Sequence, residues 1–217
     1  MSELRNGRGR FITIEGTDGA GKSTQLEFVA EQLKGHDIEV RITREPGGTE
    51  VGEILREVLL GRSDLTIHPL TQLLMVFAAR AQHIEEVIEP ALARGTWVVC
   101  DRFTDASYAY QGAAGELGFE RVAELEQFVQ GDMRPDLTIL LDVPVDVGEQ
   151  RTGVRGEHSD RFESLERKPK ELIRNAYLEL AARYPHRIRC IDASMSIARV
   201  NESISDALAE FLKTHEP

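Results

Sequence analysis

Residues 11–24 read FITIEGTDGAGKST, and this stretch decides the fold. A β-branched run at 11–14 leads into a glycine-rich turn at 16–23, which fits the P-loop pattern G-x-x-x-x-G-K-[ST]. Helical periodicity follows at 25–33, so the motif lies between a strand and a helix N-terminus. Glycines let successive main-chain N–H groups converge on an anion, and the helix N-terminus adds unpaired N–H groups and its dipole. The sequence therefore predicts a site for nucleotide phosphates.

The P-loop residues have individual predicted roles. Contacts with ATP are predicted for Gly16, Thr17, Asp18, Gly19, Ala20, Gly21, Lys22, Ser23 and Thr24. Lys22 can reach the β- and γ-phosphates, and the Ser23 hydroxyl can hold Mg²⁺. The apolar run 97–101 ends in Asp101, a second candidate for the shell of the metal. The run 137–142 also ends in a carboxylate, so Asp142 is the alternative metal ligand.

Composition narrows the range of partners. The chain has 217 residues and a net charge of −11, with 37 acidic and 26 basic side chains. This balance argues against non-specific binding of nucleic acid, which needs a broad basic surface. The longest apolar run, 73–79, is too short to span a membrane, and residues 1–10 lack the apolar core of a signal peptide. A nucleic-acid or membrane partner is therefore not expected.

The cysteines and histidines indicate a reducing environment and no structural metal site. Cys100 and Cys190 lie in apolar, strand-like runs, which predicts two buried free thiols and a cytoplasmic location. A disulfide between them is the alternative. The six histidines are scattered without metal-ligand spacing.

Strand-like segments alternate with helical ones along the chain. The predicted strands are 10–15, 39–43, 97–101, 137–142 and 187–192, and the predicted helices are 23–34, 50–60, 70–94, 120–130, 145–152, 165–184 and 197–213. The strands are apolar with little alternation, as buried parallel strands are. The order predicts an α/β fold with a doubly wound, five-stranded parallel sheet flanked by helices. Residues 1–9 are expected to be a flexible tail before a single domain, 10–217.

Charged side chains follow several of the predicted strands. Arg44, Asp101 and Arg102 stand at strand ends, and ligands of doubly wound sheets bind beyond the carboxyl ends of the strands. A guanidinium such as that of Arg102 can hold a phosphate through two hydrogen bonds. A salt bridge at the strand end is the alternative for Arg102.

Two further segments could bind a nucleotide. Phe77 and Arg80 share a helix face, so a ring and a guanidinium could together bind a base. A core phenylalanine beside a surface arginine is the alternative. Residues 155–162, RGEHSDRF, lie between two helical patterns and are typical of a mobile flap, at about 153–162, that carries arginines to phosphates. An ordinary solvated loop is the alternative there.

Taken together, the chain resembles bacterial thymidylate kinases (dTMP kinases) over about residues 11–191. The matching segments, in chain order, are 11–24, TREPGGT at 43–49, FAARAQ at 77–82, DRF at 101–103, YAYQG at 108–112, RPDLT at 134–138 and the flap at 155–163. The resemblance implies a P-loop kinase that transfers the γ-phosphoryl group of Mg·ATP to dTMP, giving dTDP and ADP in dTTP synthesis. It also implies a homodimer packed through helices.

The resemblance further implies an acceptor site. Its expected members are Asp18, Arg44, Phe77, Arg80, Arg102, Ser107, Tyr110 and Gln111. Asp18 would meet the 3′-hydroxyl of the deoxyribose, and Arg44 and Arg102 would lie near the acceptor phosphate. Arg80 would read a thymine carbonyl, and Tyr110 would pack beneath the sugar and disfavour a ribose 2′-hydroxyl.

Two positions depart from the pattern of the family. Many members place the stacking ring four residues before the arginine, where this chain has Val76, so Phe77 is the expected ring here. Some members carry an arginine at the position of Gly19, and those without it supply a catalytic arginine from the flap. The residues predicted to act in catalysis are Lys22, Arg102, Arg155 and Arg161, and Arg151 is predicted to contact ATP.

Three other functions fit part of the pattern. A kinase for another nucleoside monophosphate would share the P-loop and differ in the base site. A GTP-dependent switch would carry D-x-x-G and [NT]-K-x-D in suitable context, and neither is found. A P-loop domain without activity would not be expected to keep Lys22, Ser23 and Asp101 together.

Overall fold

The computed structural model describes residues 7–61, 65–155, 161–162 and 165–214, with only the backbone of 154 and 155. Within these ranges, five strands form one parallel sheet in the order β2-β3-β1-β4-β5. The strands are β1 Phe11–Gly16, β2 Val40–Arg44, β3 Trp97–Asp101, β4 Leu137–Asp142 and β5 Ile188–Asp192. The predicted parallel sheet is confirmed, and every strand begins and ends within one residue of its predicted limits.

Helices cover both faces of the sheet. They are α1 Lys22–Gly35, α2 Glu50–Arg56, α3 Pro69–His83, α4 Glu89–Ala93, α5 Thr104–Ser107, α6 Phe119–Gln130, α7 Val145–Arg155, α8 Arg167–Arg183 and α9 Ile197–Thr214. The π-helical segments Glu57–Gly61, Ile84–Ile88 and Tyr108–Ala114 continue α2, α3 and α5. Among the described helices, none is long and apolar enough to cross a bilayer.

The position of β1 determines where the P-loop lies. Ile14 of β1 pairs with Asp101, the last residue of β3, on one side and with Ile139 of β4 on the other. Strands β1 and β4 continue beyond this level to Gly16 and Asp142. The chain passes from β1 to β2 on one side of the sheet and later to β4 on the other. The loop after β1 therefore emerges where the strand order reverses, which is where doubly wound folds bind their ligands.

The core lies on both faces of the sheet. Ile12 and Ile139 belong to an apolar cluster with α1 and α9, whereas Phe11 and Val98 face the opposite side and pack with α4. Adjacent residues of one strand are thus buried on opposite faces. This double burial explains why the central strands β1, β3 and β4 are continuous apolar runs. The edge strands β2 and β5 are only partly buried, so the expectation of five buried strands is wrong for these two.

One helical segment was not predicted from the sequence. Residues 104–114 form α5 and its π-helical continuation. Several buried side chains here are polar, namely Thr104, Asp105, Ser107 and Gln111, so the apolar period of a helix is missing.

The two cysteines differ in burial. Both are free, and Cys100 in β3 is buried as predicted. The prediction that Cys190 is buried is wrong, because Cys190 lies on β5, an edge strand with only β4 beside it, and it is exposed.

The structure describes part of the predicted N-terminal tail and part of the predicted flap. Residues 1–6 and 156–160 lie outside the described residues. Arg8 forms an ion pair of 2.6 Å with Glu89, and the N–H of Gly9 donates to the Leu92 carbonyl at 2.8 Å. The chain is therefore held against α4 before the first strand begins.

Candidate active site

A cavity of about 310 Å³ lies beyond the carboxyl ends of β1, β2 and β3. The predicted site residues in its wall are Asp18, Gly19, Gly21, Lys22, Ser23, Arg80, Asp101, Arg102, Ser107, Tyr110 and Gln111. Predicted site residues outside the wall are Gly16, Thr17, Ala20, Thr24, Arg44, Phe77, Arg151 and Arg161. The structure thus brings the P-loop and most of the expected acceptor residues together in one cavity.

The P-loop has a backbone suited to anions. Gly19 and Gly21 have φ of +78° and +92°, values that side chains other than glycine rarely adopt. Gly21 precedes α1, and no described side chain caps this helix, so its first N–H groups can bind an anion. The Lys22 ammonium donates to the Thr17 carbonyl at 3.0 Å. Burial lowers the pKa of Lys22, and a bound phosphate would favour its charged form.

Arg102 has an unusual backbone conformation. Its φ is +69°, which costs about 1–3 kcal/mol for a residue with a side chain. Three hydrogen bonds hold it: its N–H donates to the Ile14 carbonyl at 3.0 Å, the Phe103 N–H donates to Glu15 Oε1 at 2.7 Å, and the Cys100 thiol donates to its carbonyl at 3.0 Å. Such a conformation turns the side chain from the strand end towards the P-loop.

The Arg102 guanidinium lies against the P-loop. It donates to Asp18 Oδ1 at 2.5 Å and to the Gly16 carbonyl at 3.0 Å, and it lies 4.8 Å from the centre of the Tyr110 ring. Burial alone would raise the pKa of Asp18, but Arg102 and Lys22 outweigh it and lower the pKa. Asp18 is therefore an ionised acceptor in the wall of the cavity.

Arg80 keeps one donor without a partner. Its Nε donates to Glu45 Oε2 at 2.7 Å and its Nη2 donates to Ser107 Oγ at 3.0 Å. The guanidinium lies between the rings of Phe77 and Phe103, at 4.5 and 4.9 Å from their centres. Its Nη1 is buried and has no hydrogen-bond partner among the described residues. Because Arg80 lines the cavity, this donor is available to an acceptor atom of a ligand.

The position of Phe77 corrects a prediction. Phe77 is only 2% exposed and packs with Leu73 and Val122. Val76 lies in the cavity wall instead. The three-residue offset from Arg80 puts the ring under the guanidinium rather than in the cavity, so Phe77 supports the arginine and has no open face for a base.

His83 and Glu45 complete the surroundings of Arg80. The carboxylate of Glu45 binds Arg80 through one oxygen, and its other oxygen lies 2.9 Å from His83 Nδ1. His83 Nε2 lies 2.6 Å from Thr43 Oγ1. A Cβ on Gly48 would lie 2.6 Å from the His83 ring. This close approach explains why the second glycine of the TREPGGT segment has no side chain.

The two carboxylates predicted as alternative metal ligands, Asp101 and Asp142, differ in their surroundings. Ser23 and Asp101 both line the cavity, and Asp101 Oδ1 is buried with no partner among the described residues. Mg²⁺ is commonly held by one or two protein oxygens together with phosphates and water, so this oxygen fits the ion. Asp142 instead binds Arg174 through both oxygens, at 2.7 and 2.8 Å. Asp142 is therefore not free for a metal.

An arginine missed in the sequence lines the cavity. Arg56 of α2 donates to the Pro46 carbonyl at 2.8 Å, and burial together with nearby Arg44 lowers its pKa. Arg44 itself is half-exposed and bound to Glu53 at 2.8 Å. The signal for Arg56 was its spacing: it lies four residues after Gly52 on the buried face of its helix, where an arginine needs a partner.

The last described flap residues lie over the cavity. Arg161 donates to the carbonyls of Leu59 and Leu65, at 3.1 and 2.6 Å. Phe162 lines the cavity, and its ring meets that of Tyr110 edge-to-face at 5.2 Å. Residues 161 and 162 therefore contact the side of the cavity formed after α2.

Helix α7 packs closely against the P-loop. Arg151 donates to the Gly19 carbonyl at 3.4 Å, and a Cβ on Gly19 would lie 2.3 Å from the Gly148 carbonyl. An arginine at the position of Gly19 would therefore clash with α7. Arg155 is the last residue of α7, and its side chain lies outside the described residues.

Comparisons with known proteins show the family of this chain. The family model described as thymidylate kinase matches residues 14–204. A thymidylate kinase of Pseudomonas syringae pv. tomato is 53% identical over 205 residues, which cover 94% of this chain and 97% of the relative. One of Alkalilimnicola ehrlichii is 52% identical over 202 residues, covering 93% of each chain. The crystal structure of thymidylate kinase from Ehrlichia chaffeensis superposes with a TM-score of 0.74 at 31% identity, covering 93% of this chain and 99% of that one. The chain therefore belongs to the thymidylate kinase family, whose members are nucleoside monophosphate phosphotransferases.

Proposed function

We propose that the protein transfers the γ-phosphoryl group of ATP to the 5′-phosphate of dTMP within this cavity, giving dTDP and ADP. One observation carries the proposal: a single cavity joins the P-loop lysine, Lys22, to the unpartnered Nη1 donor of Arg80. One end suits a polyphosphate and the other suits a base that offers a carbonyl oxygen. Arg102 lies between them, where two phosphates would meet.

The acceptor would be bound at three points. Arg80 Nη1 donates to a thymine carbonyl, and a cytosine amine at that position would leave the donor unpaired. Asp18 accepts from the 3′-hydroxyl, beside the Tyr110 ring. Arg102 and Arg56 hold the acceptor phosphate. Arg44 would join them only after releasing Glu53.

The reaction needs no general base. A phosphate monoester loses its second proton with a pKa of about 6, so the acceptor is already an oxyanion at neutral pH. The difficulty is to bring two polyanions together in line, and catalysis is therefore positioning plus neutralisation of charge. Lys22 and the main-chain N–H groups of the P-loop hold the donor, while Arg102 orients the acceptor.

Mg²⁺ would be held by Ser23 and by Asp101, directly or through water. When bound, the ion neutralises charge between the β- and γ-phosphates. Asp101 keeps a buried oxygen available for this purpose. Replacing Asp101 by Asn should raise the Mg²⁺ concentration needed for half-maximal rate.

The flap supplies the remaining positive charge. Arg155 or Arg161 would approach the transferred group when the flap closes, which also excludes water from ATP. An arginine in this role contributes on the order of 10³–10⁵ in rate. Arg155→Ala and Arg161→Ala are measured separately. The variant with the larger loss of kcat identifies the arginine that acts on the transferred group.

The protein is further proposed to be a cytoplasmic homodimer. Exposed apolar side chains lie on three helices, of which α3 packs against both α2 and α6: Val51 and Ile54 on α2, Leu70 and Leu74 on α3, and Phe128 on α6. Phe128 is 86% exposed, so a partner surface would bury a large apolar ring. Free thiols at Cys100 and Cys190 agree with a reducing compartment.

A coupled assay of ADP release tests the function. The wild type is supplied with ATP, Mg²⁺ and one of dTMP, dUMP, UMP, CMP or GMP. We expect the highest kcat/KM with dTMP, measurable turnover with dUMP, and little with CMP or GMP because their base edges do not match Arg80. Equal rates with GMP, or rates independent of any acceptor, would point to a different enzyme.

A further inference from the structure

Tyr177 of α8 connects two groups at the centre of the site. It is 3% exposed, and it is absent from the wall of the cavity. Its hydroxyl donates to Glu15 Oε2 at 2.8 Å, and Arg102 Nη1 donates to the phenolic oxygen at 3.3 Å. The hydroxyl therefore acts as donor on one side and as acceptor on the other.

Glu15 fixes this hydroxyl from within the sheet. It precedes the P-loop on β1, is fully buried, and also accepts the Phe103 N–H at 2.7 Å through its other oxygen. Burial and nearby Asp105 raise the pKa of Glu15 to about 8, although Arg102 and the two hydrogen bonds oppose this. One carboxylate thus holds both the residue after Arg102 and the tyrosine that binds Arg102.

The guanidinium of Arg102 needs such a support. Among the described residues, its other hydrogen bonds go to Asp18 and the Gly16 carbonyl, and the Tyr110 ring lies 4.8 Å from it. Asp18 is expected to turn partly to the sugar of the acceptor, which weakens its hold on Arg102. Tyr177 makes no contact with the cavity, so its hydrogen bond to the guanidinium can persist when substrate is bound.

We propose that Tyr177 is a positioning residue whose hydroxyl, held by Glu15, orients the Arg102 guanidinium towards the acceptor phosphate. The proposal rests on the proposed function, since it assumes that Arg102 binds that phosphate. Tyr177 itself touches no substrate and acts through Arg102.

The test compares two tyrosines that each lose one hydroxyl. Tyr177→Phe removes the contact with Arg102. Tyr108→Phe is the matched control, because the Tyr108 hydroxyl also donates to a carboxylate, Glu126, at 2.5 Å, whereas the described side-chain hydrogen bonds of Arg102 go to Asp18, the Gly16 carbonyl and Tyr177. Thermal unfolding, KM for dTMP, KM for ATP and kcat are measured for both variants.

We expect Tyr177→Phe to lose roughly ten- to hundredfold in kcat/KM for dTMP, as a misplaced reacting group does. Its KM for ATP should stay within about twofold of wild type, since the P-loop is intact. Tyr108→Phe should lower the unfolding temperature similarly while keeping wild-type kinetics. Glu15→Gln should shift dTMP kinetics in the same direction as Tyr177→Phe, because the amide has one acceptor oxygen for two donors, the Tyr177 hydroxyl and the Phe103 N–H.

Binding adds a second readout. Titration calorimetry with dTMP should show that Tyr177→Phe weakens binding in the wild type but not in an Arg102→Ala background, because the hydroxyl acts only through that arginine. Equal kinetics for wild type and Tyr177→Phe would overturn the positioning role while the proposed function stands. Absence of dTMP-dependent turnover in the wild type would overturn both.

Discussion

Arg80 is buried in a way that leaves one of its hydrogen-bond donors for recognition of a base. Two of its nitrogens are bound by Glu45 and Ser107, and two aromatic rings hold its plane. The remaining donor, Nη1, is buried in the wall of the cavity. Selectivity for a carbonyl-bearing base would follow from the cost of leaving this group unpaired.

The Arg80→Lys variant tests this selectivity for a carbonyl-bearing base. The lysine keeps the charge and loses the planar set of donors, so one ammonium cannot satisfy Glu45, Ser107 and the base together. The KM for dTMP should rise by about ten- to hundredfold, the effect of losing a charged hydrogen bond. The KM for ATP in the same variant is the internal control. An unchanged KM for dTMP would remove Arg80 from the base site.

Glu15 gives a prediction about pH and stability. Its folded pKa of about 8 lies above the value of about 4.3 for an unfolded glutamate, so between these pH values the folded state holds the extra proton. The free energy of unfolding therefore falls as pH rises through this window, by up to about 1.4 kcal/mol per pH unit for this one group. Glu15→Gln does not titrate. Urea unfolding from pH 5 to 8 should show the wild type losing stability relative to the variant, and a constant difference would contradict the raised pKa.

At the scale of elements, the strands and helices that can be predicted from the sequence are those with a regular apolar pattern. The three central strands, β1, β3 and β4, are apolar runs buried on both faces, so their limits follow from composition. The edge strands β2 and β5 are partly exposed. Helix α5 was missed because its inner side chains are polar and are satisfied only by distant partners, such as Arg187 for Asp105. Arg56 was missed for a related reason: its spacing marks the buried face of α2, but only the folded chain places it in the wall of the same cavity as the P-loop.

The contact between α7 and the P-loop can be tested with one methyl group. A Cβ on Gly148 would lie 2.8 Å from the Asp18 carbonyl, so Gly148→Ala must displace the P-loop. Strain of about 1–3 kcal/mol is typical of such overpacking, and we expect a roughly 5- to 100-fold loss of kcat/KM for ATP. Gly35→Ala at the end of α1 is the control, because a Cβ there would meet no described atom within 4 Å apart from its own helix and chain neighbours. Equal kinetics for the two variants would show that the P-loop tolerates the displacement.

At the scale of the whole molecule, exposed apolar side chains on α2, α3 and α6 are the proposed dimer surface. Phe128→Glu should shift the protein from dimer to monomer in size-exclusion chromatography with light scattering, because a buried charge opposes association. Ile197→Glu is the control, since Ile197 is 66% exposed on α9 and lies on none of those helices. A wild type that is monomeric at micromolar concentration would contradict the proposed dimer.

The site as a whole was only partly readable from the sequence. Lys22, Asp101 and Arg102 follow directly from the P-loop and the strand ends, and the structure brings all three to one cavity. The orientation of Phe77 could not be derived, because a difference of one residue on a helix decides which side chain faces a cavity. The network of Glu15 and Tyr177 joins residues 162 positions apart, and no local pattern reports such a contact.

The most direct measurement follows the transferred group itself. Wild-type protein is incubated with dTMP, Mg²⁺ and ATP labelled in the γ-phosphate, and the products are separated. The account predicts label in the β-phosphate of dTDP, with one ADP formed for each dTDP. Label recovered only in inorganic phosphate, or ADP formed at the same rate without dTMP, would contradict it.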